Sequence, residues 1–149
     1  MVIFPEFQVI KKACELIKHY GPLAGRVLMA LIFLISGYGK LTDFARTAGY
    51  MASKGMPIAE FLLVGAIIFE LGGAIMLVIG WKVRWGALLL ILFTVPATLM
   101  FHNLWAVDAA QYQNQLNHFL KNVSMIGGLL YMMAFGAGPL SLDQGKDEG

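Results

Sequence analysis

The 149 residues are 58% hydrophobic and only 13% charged, with a mean hydropathy of +0.70 and a formal net charge of +2. A soluble chain of this size has too little interior to bury so much apolar surface, so lipid is the solvent this composition fits. The small charge excess points to no nucleic acid, and a lone Cys14 with no Cys-x-x-Cys or Cys/His cluster excludes an internal disulfide, a structural zinc or an iron–sulfur centre.

In chain order, the opening segment lacks the basic, apolar, small-residue order of a cleavable signal peptide. Val9, Ile10, Ala13, Leu16, Ile17 and Tyr20 recur at helical spacing opposite Lys11, Lys12 and Glu15. That pattern predicts an amphipathic helix over residues 1–21 lying on the inner membrane surface; the other reading is a plain cytoplasmic extension of the first span. Four apolar stretches then approach the length needed to cross about 30 Å of hydrocarbon: residues 23–41, 58–80, 85–101 and 119–135. Gly21-Pro22, Met56-Pro57, Gly80 and Gly138-Pro139 punctuate them, and Pro96 falls inside the third. No alternating, barrel-type pattern occurs. The expected fold is therefore an all-α membrane protein: a four-transmembrane-helix bundle over 22–143, preceded by the interfacial helix and followed by a disordered acidic tail over 144–149.

Lysine and arginine set the expected orientation. Lys11, Lys12 and Lys18 precede the first span, and Lys82 and Arg84 occupy the tight second loop, whereas the third loop has no cation before Lys121. Arg46 and Lys54 in the first loop run against this pattern. On balance both termini are expected on the cytoplasmic side.

Polar residues inside such helices are costly and face a protein interior or a watery cavity. At 100° per residue the first span places Arg26, Ala30, Phe33, Gly37 and Lys40 on one stripe, and the second aligns Glu70 with Ala59, Ala66, Gly73 and Ala74. Val64, Ile68, Leu71, Ile75 and Val78 form the opposite, lipid-facing side of the second span. The third span lines up Thr94, Thr98 and His102, and the fourth Asn114, Asn117, His118, Lys121, Ser124 and Gly128. Two groups stand out. Glu70 near mid-membrane, with Arg26 slightly below it, suggests a buried Arg26–Glu70 pair that either fixes helix register or has a functional role. Near the outer ends, Lys40, His102, Lys121 and Asn122, rimmed by Tyr38, Trp105 and Tyr112, suggest a site for an anion or a quinone carbonyl; interfacial anchoring is the competing explanation. His102 and His118 as paired haem ligands lack a deeper histidine pair, and no metal site is expected.

The runs RVLMALIFLISGYGKLTDFARTAGYMASKGMP, FELGGAIMLVIGWKVRWGALLLILF, MFHNLW and NHFLKNVSMIGGLLYMMAFGAGPLSLD together resemble the DoxX family of bacterial membrane proteins, and within it the YphA-like inner-membrane members. The resemblance covers about residues 22–143. The family's recurring positions fall on Arg26, on Phe33, Gly37 and Lys40, on Glu70, on Phe101 and His102, and on Leu120, Lys121 and Asn122. It implies a multi-pass inner-membrane protein and a redox-associated subunit or anchor, with quinone or a small anionic sulfur compound as ligand. The candidate partners are the bilayer, a redox protein that supplies electrons, and further copies of the chain. No redox-active cysteine pair supports catalysis by the chain itself. The alternative is a non-enzymatic small-molecule binder, transporter or scaffold with Glu70 as its protonatable residue.

Overall fold

Long apolar runs broken by glycine and proline give helices and little else. In the computed structural model, residues 5–102 and 104–144 are described; residues 1–4 of the expected surface helix and 145–149 of the expected acidic tail lie outside them. In order come α1 (Pro5–Thr42), α2 (Phe44–Ser53), α3 (Ala59–Ile79), α4 (Val83–Phe101), a single 3-10 turn (Leu104–Ala106) and α5 (Ala109–Phe135). The all-α expectation holds, and α1, α3 and α4 are long and apolar enough to cross a membrane. A lipid bilayer is therefore the chain's environment.

The expected boundary at Gly21-Pro22 is not a break. α1 runs through Pro22 as one 38-residue helix, about 57 Å long at 1.5 Å per residue. Proline removes the bond its own N–H would give to the Lys18 carbonyl and crowds that carbonyl, yet the helix continues through it. Pro96 is likewise carried inside α4.

α1 packs on α3, α3 on α4 and α4 on α5, while α2 lies against α1 and α3. Ala30 and Phe33 of α1, Ala74 and Leu77 of α3, Ala87 and Leu90 of α4, and Leu129 of α5 form one core cluster. Close backbone approach makes the α3–α4 contact. A Cβ on Gly73 would lie 2.8 Å from the Gly86 carbonyl oxygen, and one on Gly86 3.1 Å from that of Gly73, the small-residue packing that membrane helices favour. A second cluster forms where Ala48 and Met51 of α2 cover Ala59, Leu63 and Ile67 of α3. The inner stripe read from the sequence is buried at Arg26, Ala30, Phe33 and Gly37. On the expected lipid face of α3, Val64, Ile68 and Ile75 are exposed, but Leu71 and Val78 are half-buried, and Leu71 packs over Gly37.

One end of the bundle is closed by the segment after α5. Gly80 ends α3 in the left-handed region (φ +69°), with its N–H on the Leu77 carbonyl and that of Trp81 on the Met76 carbonyl. This is the glycine-capped helix end of a Schellman motif. Residues 138–144 then cross this turn: the N–H groups of Leu142 and Asp143 donate to the carbonyls of Ile79 and Gly80. The Asp143 carboxylate accepts from the N–H groups of Lys82 and Val83, each at 2.9 Å, and so caps α4.

Candidate functional site

Helix direction decides which charges meet. Each Cα–Cβ bond tilts toward its helix N-terminus. Lys40, near the end of α1, therefore leans back into the bundle, while Glu70 on the antiparallel α3 leans toward it. Lys40 Nζ lies 2.9 Å from Glu70 Oε2 and 3.2 Å from Oε1. A 2.6 Å bond to Ser36 Oγ completes its set, and the ammonium stands 5.3 Å from the centroid of the Phe93 ring. Glu70 is 1% exposed, and the Lys40 side chain 23%.

The expected Arg26–Glu70 pair is thus corrected. Both residues are buried, at 1% each, but the same tilt carries Arg26 away from Glu70. Its Nη1 donates to the Leu77 carbonyl at 3.2 Å and its Nη2 to the Leu140 carbonyl at 2.7 Å. Leu77 is seven residues further along α3 than Glu70, about 10 Å of helix. Arg26 thus ties the Leu77 carbonyl, which also accepts from the Gly80 N–H, to the closing segment, a favourable place for a cation at a helix C-terminus.

The four residues expected at the outer ends share one cavity but have different partners. Lys40, His102, Lys121 and Asn122 all line a cavity of about 1080 Å³, and so does Glu70. Its remaining walls are mostly apolar side chains of α1, α3 and α4, among them Ile32, Phe69 and Phe93. Asn122 is buried and donates from Nδ2 to Thr98 Oγ1 at 2.9 Å. Thr98 in turn donates to the Thr94 carbonyl and Thr94 to the Leu90 carbonyl. His102 Nδ1 lies 2.8 Å from Gln115 Oε1, and its ring stacks on His118 with centroids 5.0 Å apart and planes 13° from parallel. Face-to-face rings aim their nitrogen lone pairs in parallel planes, so this pair does not straddle a haem iron. Among the described residues no group of three or more His, Cys, Asp or Glu side chains could hold a metal ion.

The aromatic rim is also corrected. Tyr38, Trp105 and Tyr112 are exposed, and it is Tyr50 of α2 that lines the cavity, stacked on Phe101 with centroids 5.8 Å apart. The sequence reading missed α2 by taking residues 42–57 as a connection. Its trace was the spacing of Phe44, Ala48 and Met51, three and four residues apart, the pattern of a short helix with one apolar face. Outside the spans, His118 has its pKa lowered by desolvation first, then by the positive charges of Lys121 and His102.

A family model described as DoxX matches residues 21–103. The chain is 34% identical over 122 residues to "Inner membrane protein YphA" of Escherichia coli, covering 82% of this chain and 87% of that protein. It is 34% identical over 128 residues to "Inner membrane protein YqjF" of the same organism, covering 86% and 93%. A "Surfeit locus protein 4 homolog" of Schizosaccharomyces pombe is 30% identical over 131 residues, 87% of this chain and 38% of that longer one. No solved structure matches. With the family model spanning more than half of the chain and two relatives matched over most of their length, this protein is a member of the DoxX family of membrane proteins.

Proposed function

We propose that this DoxX-family membrane protein binds a lipid-soluble small molecule between its helices. The observation that carries the reading is the cavity of about 1080 Å³, mostly apolar in its walls, with the Lys40–Glu70 pair among its lining residues. Binding sites for such molecules combine an apolar body with a few placed polar groups. A quinone, taken together with its reduced quinol form, is the first candidate, and the role that fits the family resemblance is a membrane subunit or anchor working with a redox partner protein. An anionic sulfur compound at Lys121 and His102 is the other ligand this role suggests. The inner membrane is the proposed location, as the names of the two Escherichia coli relatives say of those proteins.

The same reading takes the apolar half of α5 as a fourth crossing. Residues 119–135 span about 25 Å as a helix, enough for a thin or locally adjusted bilayer. Both termini then lie on the cytoplasmic side, with Lys11, Lys12, Lys18, Lys82 and Arg84. Because α1 is one helix through Pro22, its N-terminal part, with Val9, Ile10, Leu16 and Ile17 exposed, continues the first crossing on the cytoplasmic side, the second of the two readings of this segment.

The test uses purified protein in lipid nanodiscs and a short-chain quinone in both its oxidised and its reduced quinol form, binding of either being followed by tryptophan fluorescence quenching. Saturable binding is expected, and Ala97→Phe, which fills part of the cavity at a lining position, is expected to weaken it at least tenfold. Equal binding by the filled variant, with its helix content intact by circular dichroism, overturns the reading.

A further inference from the structure

Hydrogen-bond capacity at the Lys40–Glu70 end of the cavity restricts what can bind there. An ammonium has three protons and no acceptor, and an ionised carboxylate has about four lone-pair positions and no proton. Lys40 uses all three protons, on Ser36 Oγ and on both oxygens of Glu70. Thr94, which lines the cavity, commits its proton to the Leu90 carbonyl. The Glu70 carboxylate takes up two of its four positions with Lys40, its hydrogen-bonding partner, although it is 1% exposed. The Thr94 hydroxyl oxygen, elsewhere in the same lining, also keeps acceptor capacity. Against these acceptors stands the remaining hydroxyl proton of Ser36. This end is therefore rich in acceptors and poor in donors. Its net charge is zero as well, because the lysine and the glutamate cancel.

We infer that the molecule held in this cavity is uncharged and places a hydroxyl or N–H donor against Glu70. The inference rests on the reading of the cavity as a binding site and goes further by naming the chemistry of the polar end. A carboxylate, sulfonate or thiosulfate head group fits poorly: it brings acceptors where acceptors are in surplus and places like charge beside Glu70. A neutral donor fits on both counts and gains a charge-assisted hydrogen bond, about twice as strong as one between neutral groups. Because the site lies in a desolvated setting, a missing donor is costly rather than neutral. The methyl ether of the same molecule should therefore be discriminated against strongly.

A matched series tests this: 4-nonylphenol, its methyl ether 4-nonylanisole, and 4-nonylbenzenesulfonate share one apolar tail. Binding to the full chain in nanodiscs is measured against empty nanodiscs, which remove simple partition into lipid. The phenol is expected to bind at least tenfold more tightly than the ether and the sulfonate, and this wild-type ratio stands independently of any variant. Glu70→Gln is expected to reduce the phenol-to-ether ratio several-fold. Equal binding of phenol and ether overturns the inference and leaves the cavity as a site. Tightest binding by the sulfonate, lost in Lys121→Ala, also overturns it and moves recognition to the other polar part of the cavity. If none of the three binds above the lipid background, the inference and the reading of the cavity fall together.

Discussion

Glu70 is a carboxylate held inside a lipid-embedded bundle by hydrogen bonds from one ammonium, and that arrangement has an asymmetric energetic consequence. Removing one partner strands a charge where it cannot be solvated, whereas removing both leaves apolar packing. Lys40→Met and Glu70→Met are each expected to lower stability in a detergent unfolding titration, Glu70→Met by less because Lys40 keeps partial exposure and can reach toward the membrane surface. The loss for Lys40→Met should be about 3 kcal/mol. The double variant should recover much of it, with a coupling of about 1–3 kcal/mol; strictly additive losses would count against a specific pair. Gly80 is the second residue on which much depends. A Cβ there would collide with Arg26 Nη1 and with Ser141, at a φ of +69°. Gly80→Ala is expected to cost about 2 kcal/mol or more, from the left-handed backbone alone and then from displacement of the guanidinium. Gly127→Ala, where the added atom meets open space, should be neutral or mildly stabilising in the same titration.

Among the elements, the closing segment and α2 do work that neither long helix does alone. Asp143 caps α4 through two backbone N–H groups, so Asp143→Ala should cost about 1 kcal/mol and make residues 138–144 more susceptible to limited proteolysis. Unchanged cleavage would show that Arg26 and the backbone bonds to Ile79 and Gly80 suffice to hold the segment. At the opposite end, α5 brings His118 against His102, and the histidine's pKa is held below its ordinary 6.5. The unfolded chain therefore binds this proton more readily than the folded one. Stability is full above about pH 6.5 and falls as the pH drops through that value toward the depressed one. Lys121→Ala removes a positive neighbour, so the His118 pKa should rise in an NMR titration of the histidine side chains. A lowered or unchanged value would contradict the charge assignment.

For the molecule as a whole, the bond between Asp143 and the α3–α4 turn puts the end of the described chain beside residues 80–83. The crossing proposed for α5 would return the chain to the face of that turn. Cys14 is the chain's cysteine and is exposed, so it reports directly on sidedness. With a membrane-impermeant maleimide it should label from the cytoplasmic face. In a Cys14→Ser background Lys82→Cys should label from that same face and Gln113→Cys from the other. Labelling of Lys82→Cys and Gln113→Cys from one face would remove the crossing by α4 between them.

The inward faces of α1, α3 and α4 were legible in the residues themselves. A period of 3.6 places Arg26 with Phe33 and Gly37, or Thr94 with Thr98, on one side of a helix whatever that helix packs against. The resemblance carried by FELGGAIM, MFHNLW and their neighbours likewise identified the family. What periodicity does not hold is depth and direction between helices. Arg26 and Lys40 share a stripe, so either could meet Glu70 as far as spacing goes. Only the antiparallel packing of α1 on α3, with side chains tilted toward each N-terminus, gives Glu70 to Lys40 and Arg26 to Leu77 and Leu140. α2 was hidden for a related reason: at ten residues it is too short to be stable by itself, and its contacts with Leu63, Ile67 and Phe101 make it a helix. Local pattern determined which residues turn inward; the tertiary structure decided what each of them meets there, because partners are fixed by how neighbouring helices are offset along their axes.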